Sequence, residues 1–282
     1  MNILTFDIEE WFHILDNSST ETEKQWSNYE SRIHSNMDTI FEILDNKKIK
    51  PTFFVVGWIA EKYPDIIHQI TKRGIEIGSH THLHQLIYKN DEKTFYKDVE
   101  KSIKTIEDCS GKKVRCFRAP GFSITNKNKW AFEILYELGI EIDSSIFPAN
   151  RSHGGLPSFK SKYPSIISYN GASLKEFPIN YHSIFNKKII YSGGGYFRVI
   201  PYTAIKKWSK SSEYIMSYFH PRDFDFNQPI IKELSTFRKF KSYVGLENCK
   251  FKLENWLDDF EFIDIDKANT LVDWKNTQII KL

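Results

Sequence analysis

The chain predicts an α/β fold, a closed or nearly closed β/α barrel, and three observations carry that reading. Short apolar runs alternate with stretches of helical periodicity, which sets strands parallel with a helix crossing back between them. The residues able to do chemistry stand just past the C-terminal ends of the strand-like runs, where barrels build their sites. At 282 residues the chain can bury the core of one such domain, residues 1–282.

Met1 to Phe6 reads as the first strand. Ile33, Met37, Ile40, Phe41 and Leu44 mark one face of a helix, and Pro51 to Gly57 is the strand after it. Ile59 to Arg73 reads as one helix, and Gly74 to Ser79 as a short buried strand around Ile75 to Ile77. Asp91 to Cys109 is predicted helical, with Phe95, Val99, Ile103 and Ile106 on one face, and Val114 to Phe117 is a strand. Trp130 to Leu138 is a helix, Ile140 to Ile142 a strand, and Tyr214 to Phe219 a strand leading to His220. Gly193-Gly194-Gly195 lets the backbone turn tightly or approach a neighbour. The tail 228–282 carries a basic helical stretch at Lys232 to Lys241, then an apolar helical face of Leu253, Trp256, Leu257 and Phe260. It is expected to pack on the barrel as a closing element.

A balance of 39 basic against 36 acidic residues, net +3, gives no bias towards polyanions, so no nucleic-acid partner is expected. Cys109, Cys116 and Cys249 form no metal-type pairs and suit a reducing compartment. The chain opens on a strand without an export signal, and no apolar run approaches a membrane span. The expected location is cytoplasmic, with peripheral contact to the inner membrane allowed. Nothing in the sequence speaks to oligomeric state.

His80 and His84 stand four apart just past a strand end and can close on one metal ion. Nine histidines placed at random would give about 0.3 such pairs, so the spacing needs carboxylate company. Asp7, Glu9 and Glu10 supply it, since three acids at a strand end are costly unless a positive group sits nearby. The plainer alternative is solvated loop acids or an N-cap for the next helix. Arg118, Asp143 and His220 occupy other strand ends.

The ordered set Thr5-Phe6-Asp7-Ile8-Glu9, His80-x-x-x-His84, Phe117-Arg118-Ala119-Pro120, Asp143 and Tyr218-Phe219-His220 resembles the five motifs of polysaccharide deacetylases, the NodB-homology or carbohydrate esterase family 4 group. The resemblance covers nearly the whole chain. Flanking segments such as Glu176-Phe177-Pro178 and Gly193 to Arg198 are similar to a branch encoded with bacterial surface-polysaccharide genes. It implies a distorted or incomplete (β/α) barrel of about seven parallel strands with a C-terminal helical or irregular extension. It also implies a metal-dependent hydrolase that removes an N-acetyl group from an amino sugar in surface-polysaccharide biosynthesis. The amino sugar would be nucleotide-linked, lipid-linked or part of an oligosaccharide.

The resemblance makes His80 and His84 ligands of one divalent ion, zinc first, with cobalt or nickel allowed by ligand type. Asp7 becomes the base towards the attacking water and His220 the general acid towards the leaving amine. The commonest family form has adjacent aspartates; here Ile8 intervenes, and strand alternation favours Glu9 over Glu10 as third ligand. Arg118 is expected to orient Asp7, with Asp143 as counter-charge to Arg118. A backbone N–H near Gly121 is the expected oxyanion donor.

Trp11, Phe122, Phe147 and Tyr196 are candidate sugar-stacking residues at the mouth, and His13 and His153 candidate contacts to sugar hydroxyls. His82 is expected to be a structural hydrogen-bonding residue, and His34 and His68 surface groups. Tyr218 replaces an apolar residue that shapes the acyl pocket in the family, leaving less room there. An N-formyl substrate therefore stays open as an alternative, as do a non-sugar amide and a non-catalytic carbohydrate-binding relative.

Overall fold

A computed structural model describes residues 1–151, 153–185 and 187–282. Strand β1 (Thr5–Ile8) is followed by helix α1 (Ile33–Lys47), β2 (Thr52–Val55), α2 (Gly57–Lys62), α3 (Pro64–Lys72) and β3 (Glu76–Ser79). Then come α4 (Glu92–Ser110), β4 (Cys116–Phe117), α5 (Ala131–Glu137) and β5 (Ile142–Asp143). A hairpin of β6 (Ser165–Tyr169) and β7 (Ala172–Glu176) precedes α6 (Tyr202–Lys210) and β8 (Ile215–Met216). Helices α7 (Thr236–Tyr243) and α8 (Cys249–Asp259) lead to the edge strand β9 (Ile279–Lys281).

Strands β7, β5, β4, β3, β2 and β1 pair in that order, all parallel. The preceding pair Asn2–Ile3 continues the row onto β8, and Phe6 bridges Phe219 in the same sense, which makes seven parallel strands. Gly193 then bridges Tyr218, and among the described residues no ladder joins that edge back to β7. In place of a strand, the Asn180 side chain accepts the Met216 N–H at 3.0 Å. The barrel is thus incomplete, closed locally by an amide side chain.

One core layer lies between strands and outer helices, with Leu4, Phe6, Phe53 and Val55 against Ile40, Phe41 and Leu44. The opposite strand face fills the interior with Ile3, Phe54, Cys116, Ile142 and Met216. Alternation along β1 therefore turns Thr5 and Asp7 inwards, and both accept from Arg118 Nη1, at 2.7 and 2.8 Å. In the tail, Leu253, Trp256 and Leu257 are buried, and the Trp256 ring packs against Phe197 and Phe219.

Three segments depart from the sequence reading. The helix expected over Ile59 to Arg73 is two helices, because Pro64 cannot continue a helix interior and instead starts the second at its N1 position. The β6–β7 hairpin was not anticipated, although Asn170-Gly171, both at positive φ, is a strong tight-turn signal. The basic stretch starts its helix only at Thr236, after a Ser235 cap.

Candidate active site

Glu9, His80 and His84 each offer one ligand atom, and these atoms all lie within 4.8 Å of one another, buried. Glu9 and His80 are the first residues past their strands, so short backbone segments fix both. His80 Nδ1 lies 2.7 Å from the Arg118 carbonyl oxygen, which makes it the donor and leaves Nε2 with a lone pair. Burial holds the His80 pKa down to about 4, so the ring is neutral at pH 7 and able to offer that lone pair to a metal ion. Glu9 Oε2 comes within 2.6 Å of His84 Nε2, yet at an angle that leaves the oxygen buried without a hydrogen-bond partner. Burial alone would raise the Glu9 pKa, but the His84 charge outweighs it and keeps the carboxylate ionised. Three buried donor atoms this close together suit a shared cation.

The turn carrying the two imidazoles is strained, with Thr81 and His84 at φ of +63° and +51°. Each such residue costs about 1–3 kcal/mol unless its surroundings hold it. Asp98 of α4 does so, accepting from the backbone N–H groups of His82 at 2.7 Å and Leu83 at 3.0 Å.

Two further groups flank the triad. Asp7, buried and paired with Arg118, has its free Oδ2 at 3.8 Å from His220 Nε2. The same nitrogen is 4.0 Å from Glu9 Oε1. His220 Nδ1 is held at 3.1 Å by Asp223, whose other oxygen pairs with Arg198 at 3.3 Å. Although burial lowers the His220 pKa, its hydrogen bond to Asp223 and the charges of Glu9, Asp223 and Asp7 push it up to about 9. A carboxylate and an imidazole with a raised pKa thus face one small volume beside three groups that could hold a metal ion, an arrangement able to serve acyl-transfer hydrolysis.

A polysaccharide deacetylase profile matches residues 15–141, and a domain of unknown function profile matches 144–270. Residues 15–141 thus carry a polysaccharide deacetylase domain. The first profile begins after Asp7 and Glu9, and His220 falls within the second. A peptidoglycan-N-acetylglucosamine deacetylase of Bacillus cereus is 33% identical over 95 residues, 33% of this chain and 34% of that protein. A bifunctional xylanase/deacetylase of Pseudobutyrivibrio xylanivorans is 24% identical over 115 residues, 39% of this chain and 19% of that protein. The chain therefore spans less than half of these relatives. A crystal structure of a protein assigned as a polysaccharide deacetylase, from Mycobacterium smegmatis, superposes with TM-score 0.65 at 18% identity over 99% of this chain and 92% of that one. A 4-alpha-glucanotransferase from Thermococcus litoralis reaches 0.59 at 12% identity over 100% of this chain and 42% of that one. These two likenesses concern the fold alone.

Several expected roles need correction. Asp143 is not the partner of Arg118. It accepts from Ser145 Oγ and stands beside Glu176, its register neighbour on β7, both fully buried. Burial raises both pKa values, and the neighbouring Asp143 charge raises that of Glu176 further. The pair supports the loop above instead: Ser145 Oγ accepts from Ala119 N at 2.8 Å, and Glu176 accepts from Ile146 N at 3.1 Å. Arg118 takes its remaining contacts from Thr5, from the Ser144 carbonyl and hydroxyl, and from the Phe54 ring.

Trp11 is core, not mouth: its ring is buried against Phe12 and Tyr29, and its N–H donates to the Glu30 carbonyl at 2.9 Å. His13 is likewise buried, stacked on His84 at 5.6 Å, so it backs a ligand and cannot reach a sugar hydroxyl. Phe122 and Phe147 are buried in contact with each other, with the Arg151 guanidinium over both rings, and act as wall. Tyr196 is half exposed, and His153, paired with Asp16 at 2.6 Å, is a quarter exposed next to Gly121. Gly121 sits at φ +61°, where a Cβ would come within 2.7 Å of Leu15. Tyr218 is buried against Phe122 and Gly194, two residues before His220. Gly193 is glycine because a Cβ would run into the Tyr218 carbonyl, so the close neighbour is backbone.

Glu10 diverges from Glu9. It accepts from the Ser31 hydroxyl and from Arg32 N and Ile33 N, capping α1 from a distance in sequence. His82 lies buried 3.1 Å from Glu61, and His34 pairs with Asp65 at the surface. Sequence reasoning did not single out Asp223 or Asp98, and it quoted Glu176 and Arg198 only inside flanking segments, without a role. Only Asp223 carried a local signal, the His-Pro-x-Asp spacing of a helical-turn cap.

Proposed function

We propose that this chain hydrolyses the N-acetyl group of an amino sugar in a bacterial surface saccharide, with one divalent ion held by Glu9, His80 and His84. The observation that carries the reading is the convergence of Asp7 and His220, 3.8 Å apart, beside that buried triad. The donor set fits such an ion: two imidazole nitrogens and a buried carboxylate oxygen that makes no hydrogen bond within the protein. Zinc is the first choice, with cobalt or nickel compatible. When bound, the ion polarises the acyl carbonyl and lowers the pKa of water.

Asp7, fixed by Arg118, takes the proton from the water that attacks the carbonyl carbon. A backbone N–H at Gly121 faces the oxygen that gains charge. As the C–N bond breaks, His220 gives its proton to the sugar nitrogen, leaving a free amine and acetate. The likeness to a peptidoglycan-N-acetylglucosamine deacetylase makes an N-acetylglucosamine oligomer the first substrate to try. A nucleotide- or lipid-linked amino sugar on the cytoplasmic side is the form this reading favours in the cell.

One observation favours an N-formyl substrate as second reading: the buried Tyr218 ring stands 6.2 Å from the His220 ring on the same strand face. Acetate and formate released from matched N-acetyl and N-formyl sugars separate the two, before and after chelation and return of Zn²⁺. Acid release that disappears with chelation supports the proposal. No acid from either panel by metal-loaded protein would leave the carbohydrate-binding reading, and chelator-insensitive turnover would sink the metal assignment. Tyr218→Leu is expected to raise the acetate-to-formate ratio.

A further inference from the structure

We propose that the segment from Phe226 to Tyr243 is a docking surface for an anionic lipid bilayer, set beside the active-site mouth. Phe226, Ile230, Phe237 and Phe240 each leave 61–65% of their surface exposed. Large apolar side chains gathered in so short a stretch mark a surface that meets something apolar. Helix α7 has no buried residue, and of its apolar side chains only Tyr243 packs, partly buried, against the core.

The segment is held firmly nonetheless. Arg238 donates to the carbonyl oxygens of Leu15 and Asp16, and Arg198 to those of Lys241 and Ser242. The Tyr243 hydroxyl accepts from Ile231 N and donates to the Pro229 carbonyl, which ties the loop to the end of the helix. Polar anchoring of an exposed apolar helix keeps it presented outwards.

Charge selects the occupant. Lys232, Arg238, Lys239 and Lys241 stand against Glu233 alone, four positive and one negative, net +3. Phe237, Phe240 and Lys241 share a helix face at i, i+3 and i+4, with Lys241 Nζ 4.6 Å from the Phe237 ring centre. Phenylalanines for the acyl boundary flanked by lysines for phosphate headgroups are the composition of an interfacial helix. No helix among the described residues is long and apolar enough to cross a membrane, so the contact is at the surface.

The same anchors reach the site. Arg198, which holds the end of α7, also pairs with Asp223 behind His220, and Leu15, whose carbonyl Arg238 holds, packs beside Gly121. Docking would therefore bring the mouth to the headgroup layer, where a membrane-held saccharide is presented. The inference stands whether or not the deacetylase reading does.

The test is co-sedimentation of the full chain with vesicles of phosphatidylcholine, with and without phosphatidylglycerol, alongside sedimentation velocity without lipid. Binding is expected only to vesicles containing phosphatidylglycerol, weakening with salt. It should fall about tenfold or more in Phe237→Ser/Phe240→Ser and in Lys232→Glu/Lys239→Glu/Lys241→Glu. Circular dichroism of both variants should match the parent, since these side chains support no core. A chain that stays in the supernatant with both vesicle types, or variants that bind as well as the parent, would overturn the proposal. So would a dimer that Phe237→Ser/Phe240→Ser dissociates. Vesicle binding without acid release from any sugar would count against the hydrolase reading alone.

Discussion

His80 and Arg118 are joined through the backbone: Nδ1 of the imidazole meets the arginine carbonyl at 2.7 Å, while the guanidinium of that arginine grips Asp7 at 2.8 Å. One residue thus sets the proposed ligand with its main chain and the proposed base with its side chain, and substitution separates the two jobs. Arg118→Lys keeps the carbonyl and a positive charge but loses the planar fork. Stoichiometric zinc is expected to remain, with kcat lower by about 10²-fold from misplacement of Asp7. Removing the charge outright is a poorer test, because a buried carboxylate left unpaired costs about 3–5 kcal/mol, a large part of a domain's stability. Loss of zinc from Arg118→Lys would contradict the division.

Asp7→Asn should leave metal content unchanged and reduce kcat by about 10²–10⁴-fold. His84→Ala should lose both. Metal analysis of the purified variants, beside acetate release, checks the pair. Near-normal turnover by Asp7→Asn would require another base.

Glu9 and Glu10 are adjacent, yet the structure gives them separate work. Glu9→Gln is expected to lower metal affinity with little change in unfolding midpoint. Glu10→Ala, which strips the acceptor from Arg32 N and Ile33 N, should keep the metal and cost about 1–3 kcal/mol in urea unfolding. The opposite pattern would exchange their roles.

His220 is held at about 9 chiefly through Asp223, against the burial that would lower it. A raised pKa keeps the imidazole protonated, and competent as an acid, up to that pH. Activity should therefore fall as pH rises through about 9. In Asp223→Asn the supporting charge is gone and the falling limb should move to lower pH, read from kcat profiles at equal metal loading. An unmoved limb would mean that another group governs it.

The candidate site was legible in one dimension where spacing along a strand or turn sets geometry. Thr5, Asp7 and Glu9 take turns along one strand, and His80 and His84 share one tight turn, so their convergence follows from local conformation. The companions of those residues were not legible. Asp223 and Arg198 are 25 positions apart, and Glu176 pairs with Asp143 only because β7 lies beside β5. Asp143 also shows how a motif position can keep its place and change its partner, since Ser144 and Asp7 already saturate the arginine.

By itself the sequence determined the alternation of strands and helices, the inward face of β1 and the strand ends at which the polar groups appear. Those follow from side-chain period and backbone preference, which act over a few residues. Only tertiary structure decided that Glu10 caps α1, that Trp11 and His13 are interior, and that Asp223 stands behind His220. Each of those outcomes depends on which distant groups compete for the same hydrogen bond or the same buried volume, and packing settles that competition.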